Sequence, residues 1–487
     1  HCRNITKHMR ILGISAYYHD SAAALIENGH ILAAAQEERF TRVKHDDAFP
    51  ENAIRSVLDQ ARLDLDDLDA VVFYDKPFLK FERLLQTYLD AAPRSWWAFV
   101  NALPVWVRQK IFLKQELRTA LRELGPYDAD RTPLLFSQHH LSHAASAFYA
   151  SPFDAAAVLT VDGVGEWATA TIAHGTDTDL KLVREMHFPH SLGMLYSAFT
   201  DFLGFRVNSG EYKMMGLAPY ADEDDPAVQE HVRRITTDLV EVFDDGSIRI
   251  DMQFFAFHRG LRMIDERRFE RLFGMKRRAP ESEITSAHTA LAKAIQLVTE
   301  DVVLKMARHA VEVTGERRLC LAGGVALNCV ANGRLLESGI VDDLFVQPAA
   351  GDAGGALGAA WLAHHAHFGG DRVVRAPDAM QGGRLGPAFD DLAIHRALER
   401  ANGIEVLRLD EPDLIERTAD LLAEGKTIGW FQGRMEFGPR ALGGRSILAS
   451  PLDRAMQVRL NLQVKKRESF RPFAPIMLRE EFKRFFG

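Results

Sequence analysis

The sequence predicts an α/β protein made of two similar lobes, followed by a smaller α+β unit. Three observations carry this prediction. One order of elements (strand, polar turn, strand, turn, strand) begins at residue 11 and begins again at residue 157. Two units of strand, glycine turn and helix then follow each other between residues 318 and 360. A stretch rich in glycine and proline, residues 368–387, separates them from the rest of the chain.

The first lobe opens with three short apolar runs separated by polar turns, at residues 11–15, 22–26 and 31–35. The second of these turns is Asn28-Gly29, and an Asn-Gly pair between two apolar runs favours a tight hairpin. Helical spacing of apolar residues predicts helices at 52–62 and 84–89. Residues 78–124, rich in aromatic and basic side chains, are interpreted as a helical insertion.

The second lobe repeats this order of elements with different residues. Its apolar runs are residues 157–161, 168–173 and 180–186, and its first turn carries Asp162 and Gly163. Paired lobes with acidic and glycine-rich turns are typical of the actin/Hsp70/sugar-kinase class, the ASKHA fold, which holds a nucleotide between its lobes. The repeat therefore favours a two-lobed actin/Hsp70-like domain.

Two glycine turns follow strands near the end of this domain. Gly323-Gly324 comes after the strand at 318–322, and Gly351-Asp352 comes after the strand at 344–346. Backbone amides at a helix N-terminus suit phosphate or another anion, whereas close packing of helix on strand is the alternative for each turn. The predicted organisation is a tail at residues 1–10, a two-lobed domain at 11–375 and a second domain at 376–487.

Composition excludes several classes of protein. With 487 residues, 47% hydrophobic and 26% charged, the chain is neither disordered nor fibrous. Its formal charge of -8, from 59 basic and 67 acidic residues, gives no support to a nucleic-acid or membrane partner. No apolar run approaches the roughly 18 residues of a membrane span, and no signal peptide is visible. Three cysteines cannot form a disulfide framework. We therefore expect a cytoplasmic protein.

The sharpest local signal is a group of three histidines in five residues, His139, His140 and His143. On a helix, His139 and His143 share one face and can hold one metal ion. Asp162 and Asp352, each in a turn after a strand, are candidates for the remaining ligands. Two imidazoles and two carboxylates suit Fe(II), Mn(II) or Zn(II). The alternative interpretation is a helix surface with solvated histidines.

Three further candidates lie in turns and loops. His19, beside Asp20, is either a general base or a solvated turn residue. Lys44 follows a run of charged residues and either grips an anionic substrate or is solvated. Lys213 lies between glycines in an apolar context and needs an anionic partner, either a phosphate or a carboxylate such as Glu211.

A basic cluster near the C-terminus interleaves arginine and lysine with glycine and proline over residues 433–475, and includes Arg440, Lys465 and Arg471. Arginine presents a planar fork to phosphate or carboxylate. Since the chain as a whole is acidic, the cluster predicts a local anion pocket rather than a nucleic-acid surface, with a network of salt bridges as the alternative.

Together these segments resemble the NodU/CmcH-type O-carbamoyltransferases, which act on nodulation factors and antibiotics. The matching segments occur in the family's order at residues 18–23, 37–45, 139–147, 161–163, 213–218, 323–328, 351–352, 438–443 and 471–475. The resemblance implies a TsaD-like ASKHA domain followed by a YrdC-like domain. The family's Asn-Thr-Ser-Phe-Asn-type motif is absent, so the second domain is expected to be incomplete. The segment 78–124 is longer than in shorter members of the family.

The resemblance also implies a reaction and a set of roles. In such enzymes carbamoyl phosphate and ATP give carbamoyladenylate, and the carbamoyl group then passes to a hydroxyl while AMP leaves. By this resemblance His19 is the base, and a metal, Fe(II) first among the candidates, is held by His139, His143, Asp162 and Asp352. Mg²⁺ is a further possible cofactor. The residues expected to line the carbamoyladenylate site are Lys44, Gly163, Lys213, Gly323, Gly324 and Asn328. Those expected to bind carbamoyl phosphate are Arg440, Lys465 and Arg471.

The expected acceptor is the hydroxyl of a small molecule: a sugar, an antibiotic or another secondary metabolite. Two alternatives stay open. A tRNA threonylcarbamoyl-transfer enzyme is disfavoured by the acidic net charge and the arginine-rich second domain. An ASKHA nucleotide-binding sensor without transferase activity would bind ATP but no transition metal.

Overall fold

A computed structural model describes residues 8–90, 112–260 and 262–486. Residues 1–7 of the predicted tail and 91–111 of the predicted insertion lie outside the described residues. The described strands are β1 (Arg10–Ser15), β2 (Ala22–Glu27), β3 (His30–Gln36), β4 (Ala70–Phe73), β5 (Leu134–Phe136), β6 (Ala155–Val161), β7 (Ala168–Thr176), β8 (Asp179–His187), β9 (Val240–Val242), β10 (Ile248–Ile250), β11 (Arg318–Ala322), β12 (Asp343–Val346), β13 (Thr427–Phe431) and β14 (Arg445–Ala449).

The described α-helices alternate with these strands. They are α1 (Glu38–Thr41), α2 (Glu51–Ala61), α3 (Pro77–Asp90), α4 (Leu113–Leu124), α5 (His139–Phe148), α6 (Leu192–Phe202), α7 (Glu211–Leu217), α8 (Pro226–Arg234), α9 (Glu266–Phe273), α10 (Ser286–Thr314), α11 (Cys329–Glu337), α12 (Asp352–Leu362), α13 (Asp391–Glu399), α14 (Glu411–Ala423), α15 (Met456–Arg459) and α16 (Phe482–Phe486). Within the described ranges, no helix combines the length and the apolar surface needed to cross a lipid bilayer.

The first lobe is a five-stranded mixed sheet in the order β3-β2-β1-β4-β5. Strand β1 pairs antiparallel with β2 and parallel with β4, and β4 pairs parallel with β5. The predicted hairpin joins β2 to β3, because Asn28 and Gly29 take positive φ angles of 49° and 77°. Consecutive apolar side chains bury both faces of these strands in one core.

The second lobe has the same topology. Its sheet runs β12-β11-β6-β7-β8, with β6 antiparallel to β7 and parallel to β11. Strand β6 therefore takes the place of β1, and β11 and β12 take the places of β4 and β5. This shared order and sense confirms the two-lobed actin/Hsp70-like fold that the internal repeat predicts.

Two helices cross between the lobes. Helix α5 follows β5 of the first sheet but packs against β6, β7 and β11 of the second. Helix α12 follows β12 of the second sheet but packs against β1, β2 and β4 of the first. The two helices also contact each other closely, since a Cβ added at Gly358 would lie 1.8 Å from the backbone oxygen of Ser142. This crossing brings His139 and Asp352, the first residues of the two helices, together between the lobes.

The chain after residue 387 packs differently. Strands β13 and β14 form a two-stranded antiparallel sheet, and helices α13 and α14 have no buried residue. The preceding glycine-rich stretch is attached to the first lobe, because Met380, Leu385 and Phe437 belong to that lobe's core. The predicted boundary between residues 375 and 376 therefore lies just before a segment that is anchored to the first lobe.

Candidate functional site

Four buried ligand atoms converge where α5 meets α12. The Nε2 atoms of His139 and His143 lie 3.1 Å apart. Asp162 Oδ2 lies 3.0 Å from the first and 3.5 Å from the second, and Asp352 Oδ1 lies 3.8 Å and 3.6 Å from them. Four atoms placed about 2.1 Å from a common ion in a tetrahedron are about 3.4 Å apart. The spacing thus allows the four atoms to bind one metal ion.

Neighbouring residues hold the start of α5 and the two aspartates of the cluster in place. The carboxylate of Glu166 accepts hydrogen bonds from the backbone N–H of His139, at 3.0 Å and 3.1 Å, and so caps α5. Asp162 Oδ1 accepts from the backbone N–H of Gly324 at 3.0 Å. Tyr74 donates to Asp352 Oδ2 at 3.1 Å. Each aspartate therefore has one oxygen tied to the protein and one directed at the cluster.

The chemistry of these donors fits a divalent cation. Asp352 Oδ1 is buried and has no hydrogen-bond partner among the described residues. Two Nε2 atoms facing each other at 3.1 Å can share at most one hydrogen, whereas both can bind a cation through their lone pairs. His140 takes no part, since its Nδ1 lies 2.7 Å from Thr160 Oγ1. Two imidazoles and two carboxylates suit the borderline to hard cations that the sequence predicts.

The histidines and aspartates of the cluster strongly shift one another's pKa values. Burial alone would lower the pKa of His143, but Asp162 and Asp352 raise it to about 9. Burial alone would raise the pKa of Asp162, but the two histidines hold it well below its ordinary value. His140 differs, because burial and the neighbouring His139 lower its pKa to about 3. The ring of His140 is therefore neutral beside charged neighbours.

His19 lies next to this cluster. Its Nε2 is 3.9 Å from Asp352 Oδ2, and its Nδ1 is 2.9 Å from Asp20 Oδ2. Burial alone would lower the pKa of His19, but Asp352 and then Asp20 raise it to about 9. The imidazole thus lies between a carboxylate of the cluster and a carboxylate of its own turn.

One cavity of about 470 Å³ opens above the cluster, between the two lobes and the C-terminal segment. It brings together nine of the sequence-predicted site residues from three separate parts of the chain. They are His19, Lys44, Asp162, Gly163, Gly324, Asn328, Arg440, Lys465 and Arg471. Lys213 and Gly323 are not among the described residues that line it.

Gly323 and Asn328 each have a clear backbone role. Gly323 takes a φ of 87°, and a Cβ there would lie 2.4 Å from the backbone oxygen of Val161. Only glycine fits such an approach. The side chain of Asn328 accepts from the N–H of Ala331 and so caps α11, while it pairs with Gln296.

Cations from the C-terminal segment form one wall of the cavity. The guanidinium of Arg471 lies 4.2 Å from the ring centroid of Tyr212, whose hydroxyl accepts from Lys44 Nζ at 2.7 Å. Burial and the neighbouring cations Arg467 and Arg445 lower the pKa of Lys465. This wall therefore has an excess of positive charge, which suits an anionic ligand.

Lys213 has a carboxylate partner within the chain. Its Nζ donates to Glu468 Oε1 at 2.6 Å, and Arg471 lies 3.6 Å from the other oxygen. The sequence left open whether a phosphate or a carboxylate meets this lysine. In the described structure Glu468 fills that place, rather than Glu211, which accepts from Ser197.

Several residues around the site escape sequence reasoning. Glu166 and Tyr74 orient metal-ligand candidates, His45 binds Asp20, and Arg467 and Tyr212 line the cavity. Glu166 carried a weak signal, since it ends the acidic turn that begins at Asp162. Tyr74 carried none, because 278 positions separate it from Asp352.

Comparison of the sequence with known proteins identifies a family. Residues 10–361 match the family described as carbamoyltransferase N-terminus, and residues 419–487 match the carbamoyltransferase C-terminus. A protein of Synechocystis sp., itself uncharacterized, is 52% identical over 479 residues, which cover 98% of this chain and 77% of its own length. The nodulation protein NolNO of Sinorhizobium fredii is 38% identical over 473 residues, which cover 97% of this chain and 64% of that protein.

Likeness to solved structures is much weaker. HypF from T. kodakarensis matches with a TM-score of 0.35 and 14% identity, over 73% of this chain and 47% of its own. The sequence relationship is the stronger finding. It confirms both the family that the motifs resemble and its enzyme class. The chain belongs to the carbamoyltransferase family.

Proposed function

We propose that the chain transfers a carbamoyl group from carbamoyladenylate to a hydroxyl of a small molecule, in the cavity between its lobes. The observation that carries the proposal is the convergence of three features on that cavity. The histidine and aspartate cluster lies at its base, His19 stands beside the cluster, and a wall of lysine and arginine faces them. Membership of the carbamoyltransferase family supports this choice of transferred group.

In the proposed step, the hydroxyl oxygen of the acceptor forms a bond to the carbamoyl carbon. The bond between that carbon and the bridging oxygen of the AMP phosphate breaks, and AMP leaves with the electron pair. The hydroxyl proton passes to Nε2 of His19, the ring nitrogen that is not bound to Asp20. Because a free hydroxyl is a weak nucleophile, the base and the activated donor are both needed.

We propose that His139, His143, Asp162 and Asp352 hold the metal, with Fe(II) as the first candidate. A divalent cation bound there would supply positive charge against the two carboxylates and against the phosphate of the departing AMP. The unpartnered Asp352 Oδ1 supports this role, since a buried carboxylate oxygen needs a partner.

We propose that the basic wall binds ATP and carbamoyl phosphate. Water cleaves carbamoyl phosphate to carbamate and phosphate, and a carbamate oxygen then bonds to the α-phosphorus of ATP as pyrophosphate leaves, which gives carbamoyladenylate. Arg440, Lys465 and Arg471 would bind carbamoyl phosphate, and Lys44 the nucleotide. All four line the same cavity as His19, so the reactive intermediate would not have to pass through bulk water. The expected acceptors are sugars, antibiotics and other secondary metabolites.

The test supplies synthetic carbamoyladenylate to the metal-loaded full chain together with a pool of hydroxyl-bearing metabolites. We expect AMP release above the spontaneous rate and a product heavier by one carbamoyl group, read by mass spectrometry. His19→Asn should abolish the heavier product, whereas His187→Asn, a matched change at an exposed histidine, should leave it intact. Transfer that survives His19→Asn would exclude His19 as the base.

The donor half-reaction is tested separately, by pyrophosphate release from ATP with carbamoyl phosphate. Arg440→Ala should lower this release, whereas Arg454→Ala, at an exposed arginine of the same segment, should not. Equal pyrophosphate release by both variants would reject the role of Arg440.

A further inference from the structure

One carboxylate in the cavity is shared by two imidazoles. Asp20 Oδ2 lies 2.9 Å from Nδ1 of His19, and Asp20 Oδ1 lies 2.9 Å from Nδ1 of His45. All three residues line the cavity, and their side chains are only 19–24% exposed. Each oxygen of the Asp20 carboxylate thus pairs with one imidazole ring, and both rings make this contact through Nδ1.

The backbone holds this arrangement in an uncommon conformation. Asp20 and His45 have φ angles of 55° and 57°, in the left-handed region that few residues other than glycine occupy. Two backbone hydrogen bonds of 2.8 Å tie the turn that carries Asp20 to the loop that carries His45, from Tyr17 N to Asp47 O and from Ser21 N to Asp46 O. Such conformations persist where the surroundings determine them, and they cluster at functional sites.

The hydrogen-bond chemistry of the trio follows from the carboxylate. An ionised carboxylate can only accept, so both Nδ1 atoms must donate to Asp20. In a neutral imidazole the second nitrogen is then an acceptor. Asp20 therefore makes Nε2 the acceptor in both His19 and His45. Nε2 of His45 is buried and has no hydrogen-bond partner among the described residues, so its lone pair is unsatisfied.

We propose that Asp20 is a positioning residue that fixes the tautomers of His19 and His45 together, so that two imidazoles that line the cavity each carry an acceptor at Nε2. A substrate with two donor groups fits this pair. The identity of these two donor groups rests on the proposed function. In that reaction His19 takes the hydroxyl proton of the acceptor, and His45 accepts a hydrogen bond from an N–H of the carbamoyl amide. His45 is then a binding residue for the carbamoyl group itself.

The tautomers can be read without any activity. In the zinc-loaded chain labelled with ¹⁵N-histidine, long-range ¹H–¹⁵N spectra at a pH where both rings are neutral should show the hydrogen on Nδ1 of His19 and of His45. Asp20→Asn should keep the fold, because asparagine tolerates positive φ. Its amide has one acceptor oxygen, so at least one ring should move its hydrogen to Nε2. Hydrogen on Nε2 of either ring in the wild type, or two unchanged rings in Asp20→Asn, would overturn the proposal.

Kinetics test whether Asp20 acts through the rings. With synthetic carbamoyladenylate and water as the hydroxyl acceptor, Asp20→Ala should lower kcat for AMP release by roughly 10²- to 10⁴-fold, the range found when a base loses its orienting carboxylate. KM for carbamoyladenylate should rise as well, because His45 loses the carboxylate that orients it towards the carbamoyl amide. In a His19→Ala background the same substitution should have no further effect on kcat, because its main target is gone. Asp47→Asn, at an exposed aspartate of the same loop, is the matched control and should behave as the wild type.

Failure of the positioning role of Asp20 can be told apart from failure of the proposed function. Multiplicative losses from Asp20→Ala and His19→Ala would mean that Asp20 acts structurally, and would overturn the positioning role. Absence of wild-type AMP release would reject the proposed function, whereas the tautomers would still decide the role of Asp20.

Discussion

The two-lobed part of the chain and the segment after residue 387 contain similar elements but pack in opposite ways. Helix α12 is buried at every residue, whereas α13 and α14 are buried at none. Both of the latter helices nevertheless begin at aspartate caps, Asp390 and Asp410, whose side chains accept from backbone N–H groups three residues on. Capping residues are therefore enough to define where a helix begins, whereas burial of the helix depends on the elements that pack against it.

The segment is joined to both lobes by buried and polar side chains. Phe437 inserts into the core of the first lobe with 1% exposure, and Glu468 pairs with Lys213 of the second lobe. Elsewhere large apolar side chains face outward, including Phe389, Phe431 and Phe485. The comparison predicts that substitutions will have large effects at the cluster and at the anchors, and small effects on the open faces.

The largest effect is expected at the metal-ligand cluster, where the two lobes meet. His143→Ala removes one of four converging donors, so metal affinity should fall by at least about 10- to 100-fold, the range for disturbing even an indirect partner. Metal content and affinity measured on the purified chain check this. His140→Gln is the control, because that ring bonds Thr160 instead of facing the cluster, and it should retain metal. Equal loss in both variants would contradict the assignment of His143.

The anchor of the segment should come next. Phe437→Ala opens a cavity in the first lobe, so the free energy of unfolding should fall by about 3–5 kcal/mol. Phe431→Ala makes the same chemical change at a ring that is 53% exposed, and should stay within about 0.5 kcal/mol of the wild type. Denaturant unfolding compares the two. Similar values would mean that the lobes and the segment do not differ in packing as described.

The cluster should also make the lobes sensitive to pH when metal is removed. The folded-state pKa of His143 and that of His19 are each about 9, above the ordinary 6.5. A raised pKa contributes stability that is complete below pH 6.5 and is lost as pH rises towards 9. The melting temperature of the metal-free chain should therefore fall between pH 6.5 and 9. A melting temperature that stays constant over this range would show that these histidines are not held by the carboxylates.

The smallest effect is expected at the tie between the segment and the second lobe. Glu468→Gln weakens a partly exposed ion pair, so stability should fall by no more than about 1 kcal/mol. Protease cleavage within the segment should become faster, since one of its polar links to the second lobe is weakened. Glu480→Gln, at an exposed site with the same chemistry, should leave the cleavage rate unchanged. Unchanged cleavage in Glu468→Gln would show that the anchor at Phe437 is sufficient.

Much of the fold could be predicted from the sequence because strands, turns and helix caps depend on residues that are close together in the chain. The Asn28-Gly29 turn, the apolar runs and the glycine turns predict strands that the structure has within a few residues. The spacing of His139 and His143 places both rings on one face of α5, as its helical geometry requires. Their partners Asp162 and Asp352 were found as acidic residues at strand ends.

The remaining features depend on contacts between distant parts of the chain. No spacing rule links Tyr74 to Asp352, or Lys213 to Glu468, because the crossing of helices and the docking of the segment bring them together. In the sequence Asp20 has the pattern of an ordinary turn residue, because its contact with His45 joins two turns that are 25 positions apart. Sequence patterns predict elements well, whereas the order in which polar groups pair follows from the assembled fold.

The crossed helices α5 and α12 have a mechanical consequence. They carry three of the four converging donors and touch backbone to backbone at Gly358, a close packing that resists relative movement of the two helices. If the lobes move apart to admit a substrate or release AMP, they would rotate about this helix pair, and the outer strands and loops would move furthest. The distances among those three donors would hardly change during such a motion, and His19, on the turn between the strands β1 and β2 that α12 packs against, would stay beside Asp352. Opening and closing would then change access to the centre without separating the base from it.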